Sequence, residues 1–139
     1  MTRTVFDRHD AVYIKNVPRK GRGVFANIPL KANDVIERST TWGFSRSEET
    51  LLRRTGLFEY YFVRPETNTI NHLIAGYVVF GTISLVNHSF APNAEIVWDD
   101  DETGAWVSII ALKDIDIDEE ITHFYANINE YGNSNEFVT

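Results

Sequence analysis

The stretch Asn87-His88-Ser89-Phe90-Ala91-Pro92-Asn93 decides how the rest of this chain is read. Asn-His-Ser formally matches a glycosylation sequon. The chain start, residues 1–10, carries charges where a secretion signal needs an apolar run, so the match is coincidental. A serine–histidine hydrolase fits poorly. Neighbouring residues on an extended chain face opposite ways, and there is no Gly-x-Ser-x-Gly elbow. A metal site would require His9, His72, His88 and His123 to converge, and none stands at a zinc-type spacing from another. Taken alone, the stretch reads as a buried Asn and His bonded to turn backbone, with no metal.

Working outward, two further signals flank it. On the N-terminal side, Gly21-Arg22-Gly23 precedes an apolar run, and glycines one residue apart allow a backbone to approach a ligand closely. The third glycine and following helix of a dinucleotide-binding fold are missing. On the C-terminal side lies Asp118-Glu119-Glu120-Ile121-Thr122-His123-Phe124-Tyr125. Paired carboxylates could do acid–base work, but adjacent glutamates before an apolar segment usually form a solvated turn. Each signal is weak by itself.

The segments between them are short and strand-like. Residues 11–17 read as a first strand, residues 18–23 as a polar loop, and residues 24–28 as a second strand. Ser45-Arg46-Ser47-Glu48 has the pattern of a capping box opening a short helix that runs to Arg54 and closes at Gly56. Residues 57–63 are again strand-like, and residues 98–106 read as a hairpin around an acidic turn with Gly104. Short strands at regular spacing with little helix predict one mainly β domain.

Composition narrows the classes. With 139 residues, 43% hydrophobic and 24% charged, the chain has the size and balance of one globular domain. The absence of cysteine excludes disulfides, thiol catalysis, iron–sulfur clusters and cysteine-based zinc. No run of apolar residues is long enough to span a membrane. An intracellular soluble protein is expected, with non-classical secretion or action inside a host as alternatives. Residues 1–64 carry a net charge of +5 and residues 65–139 a net −12, which together make the −7 of the chain. An acidic half repels nucleic acid and suits a basic, lysine-rich partner, unless it is only a solvated face.

In this order and spacing, Arg22-Gly23-Val24-Phe25-Ala26, Asn87-His88-Ser89-x-x-Pro92-Asn93 and Glu119-Glu120-Ile121-x-x-x-Tyr125 resemble the SET domain, the family of S-adenosylmethionine-dependent protein-lysine methyltransferases. The resemblance covers about residues 11–126, with a tail at 127–139, so residues 1–139 form a single SET domain. Its compactness, without cysteine-rich flanking modules, is similar to the minimal viral and bacterial members. The resemblance implies small curled β-sheets with a C-terminal pseudoknot and little helix.

It further implies S-adenosylmethionine as cofactor and methyl transfer to the ε-amine of a lysine in a protein. Cofactor contacts fall to Gly21, Arg22, Gly23, Asn87 and His88, with Tyr131 covering the adenine. Tyr125 matches the family's active-site tyrosine. Tyr60 (Tyr61 in the other register) and His123 would line the lysine channel. His123 stands where many members carry a Tyr or Phe that limits the number of methyls added. A lysine-containing, basic protein is the implied partner, with no nucleic acid or membrane contact and a homodimer left open. The rival reading is a catalytically silent SET-like module that binds basic peptides.

Overall fold

A computed structural model describes residues 11–64 and 74–124. Eight strands account for about half of them: β1 Val12–Val17, β2 Gly21–Ala26, β3 Val35–Ser45, β4 Ile74–Val79, β5 Asn87–His88, β6 Ala94–Asp101, β7 Gly104–Ala111 and β8 Glu120–His123. One α-helix, α1, spans Arg46–Leu52, and two 3-10 turns cover Gly56–Glu59 and Thr82–Leu85. The mainly β character expected from the strand spacing is borne out.

The strands form two four-stranded sheets, ordered β1-β2-β8-β5 and β4-β3-β7-β6. The second is a run of antiparallel neighbours. Its β6–β7 hairpin turns at Glu102-Thr103, where Gly104 takes φ +119°. In the first sheet, β8 inserts between β2 and β5. It runs antiparallel to β2 and parallel to β5, pairing Asn87 with Thr122 and His88 with His123. A segment late in sequence thus lies beside both earlier motifs. One apolar cluster joins the sheets, built from Val24, Ile36, Val79, Val107, Ile109 and Ile121 among others.

The helix begins where the capping box places it. The Ser45 hydroxyl accepts from the Glu48 amide at 3.2 Å, and the Glu48 carboxylate accepts from the Ser45 amide at 2.8 Å. It ends at Leu52, with Arg53 as C-cap, before the expected Arg54.

Two local expectations are corrected. Gly21-Arg22-Gly23 does not lie in a loop but opens β2, opposite Val17, Asn16 and Lys15; the turn is confined to residues 18–20. Arg19 at φ +72° and Gly21 at φ +85° reverse the chain quickly enough for pairing to resume at once. Residues 57–63 are not a strand. The Thr55 hydroxyl accepts from the Leu57 amide and draws the chain into a 3-10 turn, leaving Phe62 as one isolated bridge to Tyr77.

Candidate active site

The three sequence signals converge through β8. The Asn87 side-chain amide donates to the Arg22 carbonyl at 3.1 Å and to the Glu120 carboxylate at 2.8 Å. The second oxygen of Glu120 faces Lys20 Nζ at 3.4 Å. Gly23 lies directly beneath. A Cβ there would stand 2.7 Å from Glu120 Oε2, 2.8 Å from a Val17 methyl and 3.0 Å from Asn87 Nδ2. Only glycine lets β2 run this close under the two side chains.

Asn93 fastens the other end of the Asn-His stretch to β8. Its Nδ2 donates to the Glu120 carbonyl at 2.8 Å and the Glu119 carboxylate at 3.2 Å, while its Oδ1 accepts from the Thr122 amide at 2.9 Å. The Ser89 amide donates to the His123 carbonyl, and its hydroxyl accepts from the Ala91 amide, fixing the loop that follows. The glutamate pair is therefore not simply a solvated turn. Glu119 closes the turn that begins at Asp116 and also reaches Asn93, while Glu120 opens β8, which brings its carboxylate against Asn87.

Behind this polar layer, His88 and His123 are buried neighbours on β5 and β8. Burial pushes His88 below its ordinary value, and the charge of Lys20 adds to the shift. Burial pushes His123 down to about 4; a backbone hydrogen bond at Phe124 opposes the shift and His88 adds to it. Both imidazoles are neutral at pH 7. His123 stacks on Phe62, centroids 5.5 Å apart and planes 7° from parallel. His88 meets Phe90 edge-on at 4.4 Å and Phe124 at 4.9 Å, and both of those rings keep half or more of their surface exposed.

Of the predicted site residues, Arg22, Gly23, Asn87, His88 and His123 come together, whereas Gly21 opens β2 opposite Val17 with nothing within 4 Å of where a Cβ would stand. Tyr60 is 39% exposed, whereas Tyr61 is buried, packed edge-on against Phe44 and donating to Glu49. Tyr61 is thus part of the core, and Tyr60 is the tyrosine left accessible. Tyr125 and Tyr131 lie outside the described residues. Sequence reasoning missed Glu120, Phe62, Phe90 and Phe124. For Glu120 a signal existed: the alternation Glu120-Ile121-Thr122-His123 fits a strand with one polar and one buried face. Among the described residues no cluster of His, Asp and Glu could hold a metal ion, and no helix is long and apolar enough to cross a membrane.

The SET-domain family model matches residues 21–126, from the first glycine of β2 to just beyond Tyr125. The chain belongs to the SET-domain family. It is 33% identical over 115 residues, 82% of this chain and 72% of the relative, to a histone-lysine N-methyltransferase of Schizosaccharomyces pombe described as specific for H3 lysine-37. A crystal structure of a Plasmodium falciparum protein described as a histone methyltransferase aligns over 85% of this SET domain and 95% of its own chain, with a TM-score of 0.67 and 26% identity. Protein-lysine methyl transfer is the activity that this membership supports, and S-adenosylmethionine is the cofactor SET methyltransferases generally use.

Proposed function

We propose that this SET domain binds S-adenosylmethionine over β2 and β5 and methylates a lysine ε-amine in a basic protein. The observation that carries the reading is the contact of Asn87 with both Arg22 and Glu120, which unites the three motifs in one polar patch. The residues there fit the cofactor chemically. Its zwitterionic amino-acid end needs a close backbone with both donors and acceptors, which Arg22, the side-chain-free Gly23 and Asn87 supply. Its adenine needs a flat apolar surface, and the exposed rings of Phe90 and Phe124 stand beside His88. Tyr131 is proposed to cover the adenine.

When bound, the cofactor supplies a methyl group activated on a sulfonium. The chain's own task is to deliver a neutral amine. A lysine ammonium has a pKa of about 10.4 in water, and an apolar channel disfavours the charged form. The stacked Phe62 and the buried, uncharged His123 are proposed as such a wall, with the part-exposed Tyr60, two residues before Phe62, proposed at its mouth. No residue in the proposed channel need act as a strong base, because desolvation lowers the amine's pKa as it enters and its proton is left to solvent. Tyr125 is proposed to align the amine by its hydroxyl and ring, and alignment to within about 1 Å is worth on the order of a hundredfold in rate.

Residues 1–139 are proposed to act as one SET domain, with basic protein segments as substrates. The named relative's histone specificity makes a lysine-rich histone tail the first substrate to try. Thermal unfolding with and without cofactor tests the binding half: ligand at about 100 times its Kd adds about 2.7 kcal/mol, a shift of several degrees here. No shift at millimolar S-adenosylmethionine or S-adenosylhomocysteine overturns the cofactor assignment.

A further inference from the structure

We propose that Glu120 is a positioning residue for the cofactor's amino-acid end, acting through the orientation of the Asn87 side chain; this rests on the cofactor reading above. An asparagine amide presents an acceptor on one branch and two donors on the other, and its neighbours decide which way it turns. Both close neighbours of the Asn87 amide nitrogen are acceptors: Glu120 Oε2 at 2.8 Å and the Arg22 carbonyl at 3.1 Å. An oxygen placed there would face two oxygens, so Nδ2 must occupy that branch. Oδ1 is then left on the opposite branch, and an acceptor is what a ligand's α-ammonium needs.

Glu120 is suited to hold this arrangement. Its side chain is 18% exposed, and its other oxygen is held by Lys20, itself 11% exposed, at 3.4 Å. The carboxylate is thus tethered on both sides, by an ammonium and by the Asn87 amide. Gly23 keeps the space open, since a Cβ there would overlap both Glu120 Oε2 and Asn87 Nδ2. Without Glu120 the amide keeps a single acceptor and can turn over, presenting its donors to the ammonium.

The test is calorimetric binding of two ligands to the full chain: S-adenosylhomocysteine and its analogue lacking the α-amino group. Glu120→Ala should weaken S-adenosylhomocysteine about tenfold and the deaminated analogue by less than about twofold, the scale of one lost hydrogen bond. Glu120→Gln, which still offers an acceptor, should stay within about threefold of the parent. In an Asn87→Ala background, Glu120→Ala should cost nothing more, because its route is gone.

An unchanged affinity in Glu120→Ala overturns the proposal, as does an equal loss for both ligands or a full loss that persists without Asn87. A Glu120→Gln chain as weak as Glu120→Ala overturns it too, since charge and not orientation would then be the cause. Should Glu120→Ala fail to fold, NMR on the parent chain decides. The Asn87 side-chain NH2 protons should keep their contacts to Glu120 when S-adenosylhomocysteine binds, and their loss would contradict the proposal. A parent chain that binds neither ligand refutes the cofactor reading itself, a distinct outcome.

Discussion

His123 lies flat against Phe62, centroids 5.5 Å apart, and this stack ties the last described strand to the segment carrying Tyr60. Burial there disfavours the protonated imidazole and holds its pKa down to about 4. The unfolded chain takes up this proton near the ordinary 6.5, so between about pH 6.5 and 4 it binds more protons than the folded chain. Stability is therefore present in full above that window and falls as the pH drops through it, by about 3 kcal/mol in all. Urea unfolding of the parent and of His123→Phe at pH 7.5 and pH 5 checks this. The variant should lose less stability on acidification, with a remainder owed to His88; parallel losses would show that His123 is not the source.

The two glycines of β2 should differ sharply in tolerance. An alanine at 23 meets Glu120 and Val17 inside 3 Å, so Gly23→Ala should cost about 1–3 kcal/mol and weaken cofactor binding as well. At Gly21 nothing lies within 4 Å, and only its φ of +85° opposes a side chain. Gly21→Ala should cost about 1 kcal/mol and leave cofactor affinity close to that of the parent. Denaturation midpoints and calorimetry on both variants separate the overlap from the backbone strain.

The acidic hairpin is less of a bare negative field than its sequence suggests. Asp99 pairs with Arg38 at 2.6 Å, and Asp100 takes both guanidinium nitrogens of Arg64 at 2.7 Å. Arg64 in turn holds the Asp100 carboxyl below its usual range, and the two arginines lie over Trp98 and Trp106. Both carboxylates are about half exposed, so Asp99→Asn should cost less than about 1 kcal/mol; Asp100→Asn should cost more than that, because it breaks a bidentate pair with an Arg64 side chain only 9% exposed. The salt dependence of basic-peptide binding should hardly change when both acids are neutralised together with Arg38 and Arg64, because the matched pairs carry no net charge. A slope that collapses in that quadruple variant would instead make this hairpin the peptide's docking field.

Much of the fold was legible because local chemistry and tertiary structure agree. The capping box at Ser45 and Glu48 predicted the helix start within a residue, and the acidic turn before Gly104 predicted the β6–β7 hairpin. Reading failed where partners distant in sequence decide the outcome. Residues 57–63 have strand composition, yet only Phe62 finds a strand partner. Glu119 and Glu120 look like a solvated pair until β8 is placed between β2 and β5, a pairing that joins residues 35 and about 96 positions apart. The motifs Gly-Arg-Gly and Asn-His were visible, but their contact was not, because no local periodicity encodes a strand inserted late between two earlier ones.

The claim that this SET domain transfers methyl groups to lysine is tested most directly by single-turnover assay with methyl-labelled S-adenosylmethionine and a lysine-rich histone tail. The parent chain should place label on a lysine ε-amine. Tyr125→Phe should bind cofactor as before but transfer on the order of a hundredfold more slowly, because it loses the hydroxyl proposed to align the amine and keeps the ring. A parent chain that binds both cofactor and peptide yet labels no lysine, across basic substrates, would contradict the account and identify the chain as a peptide-binding module.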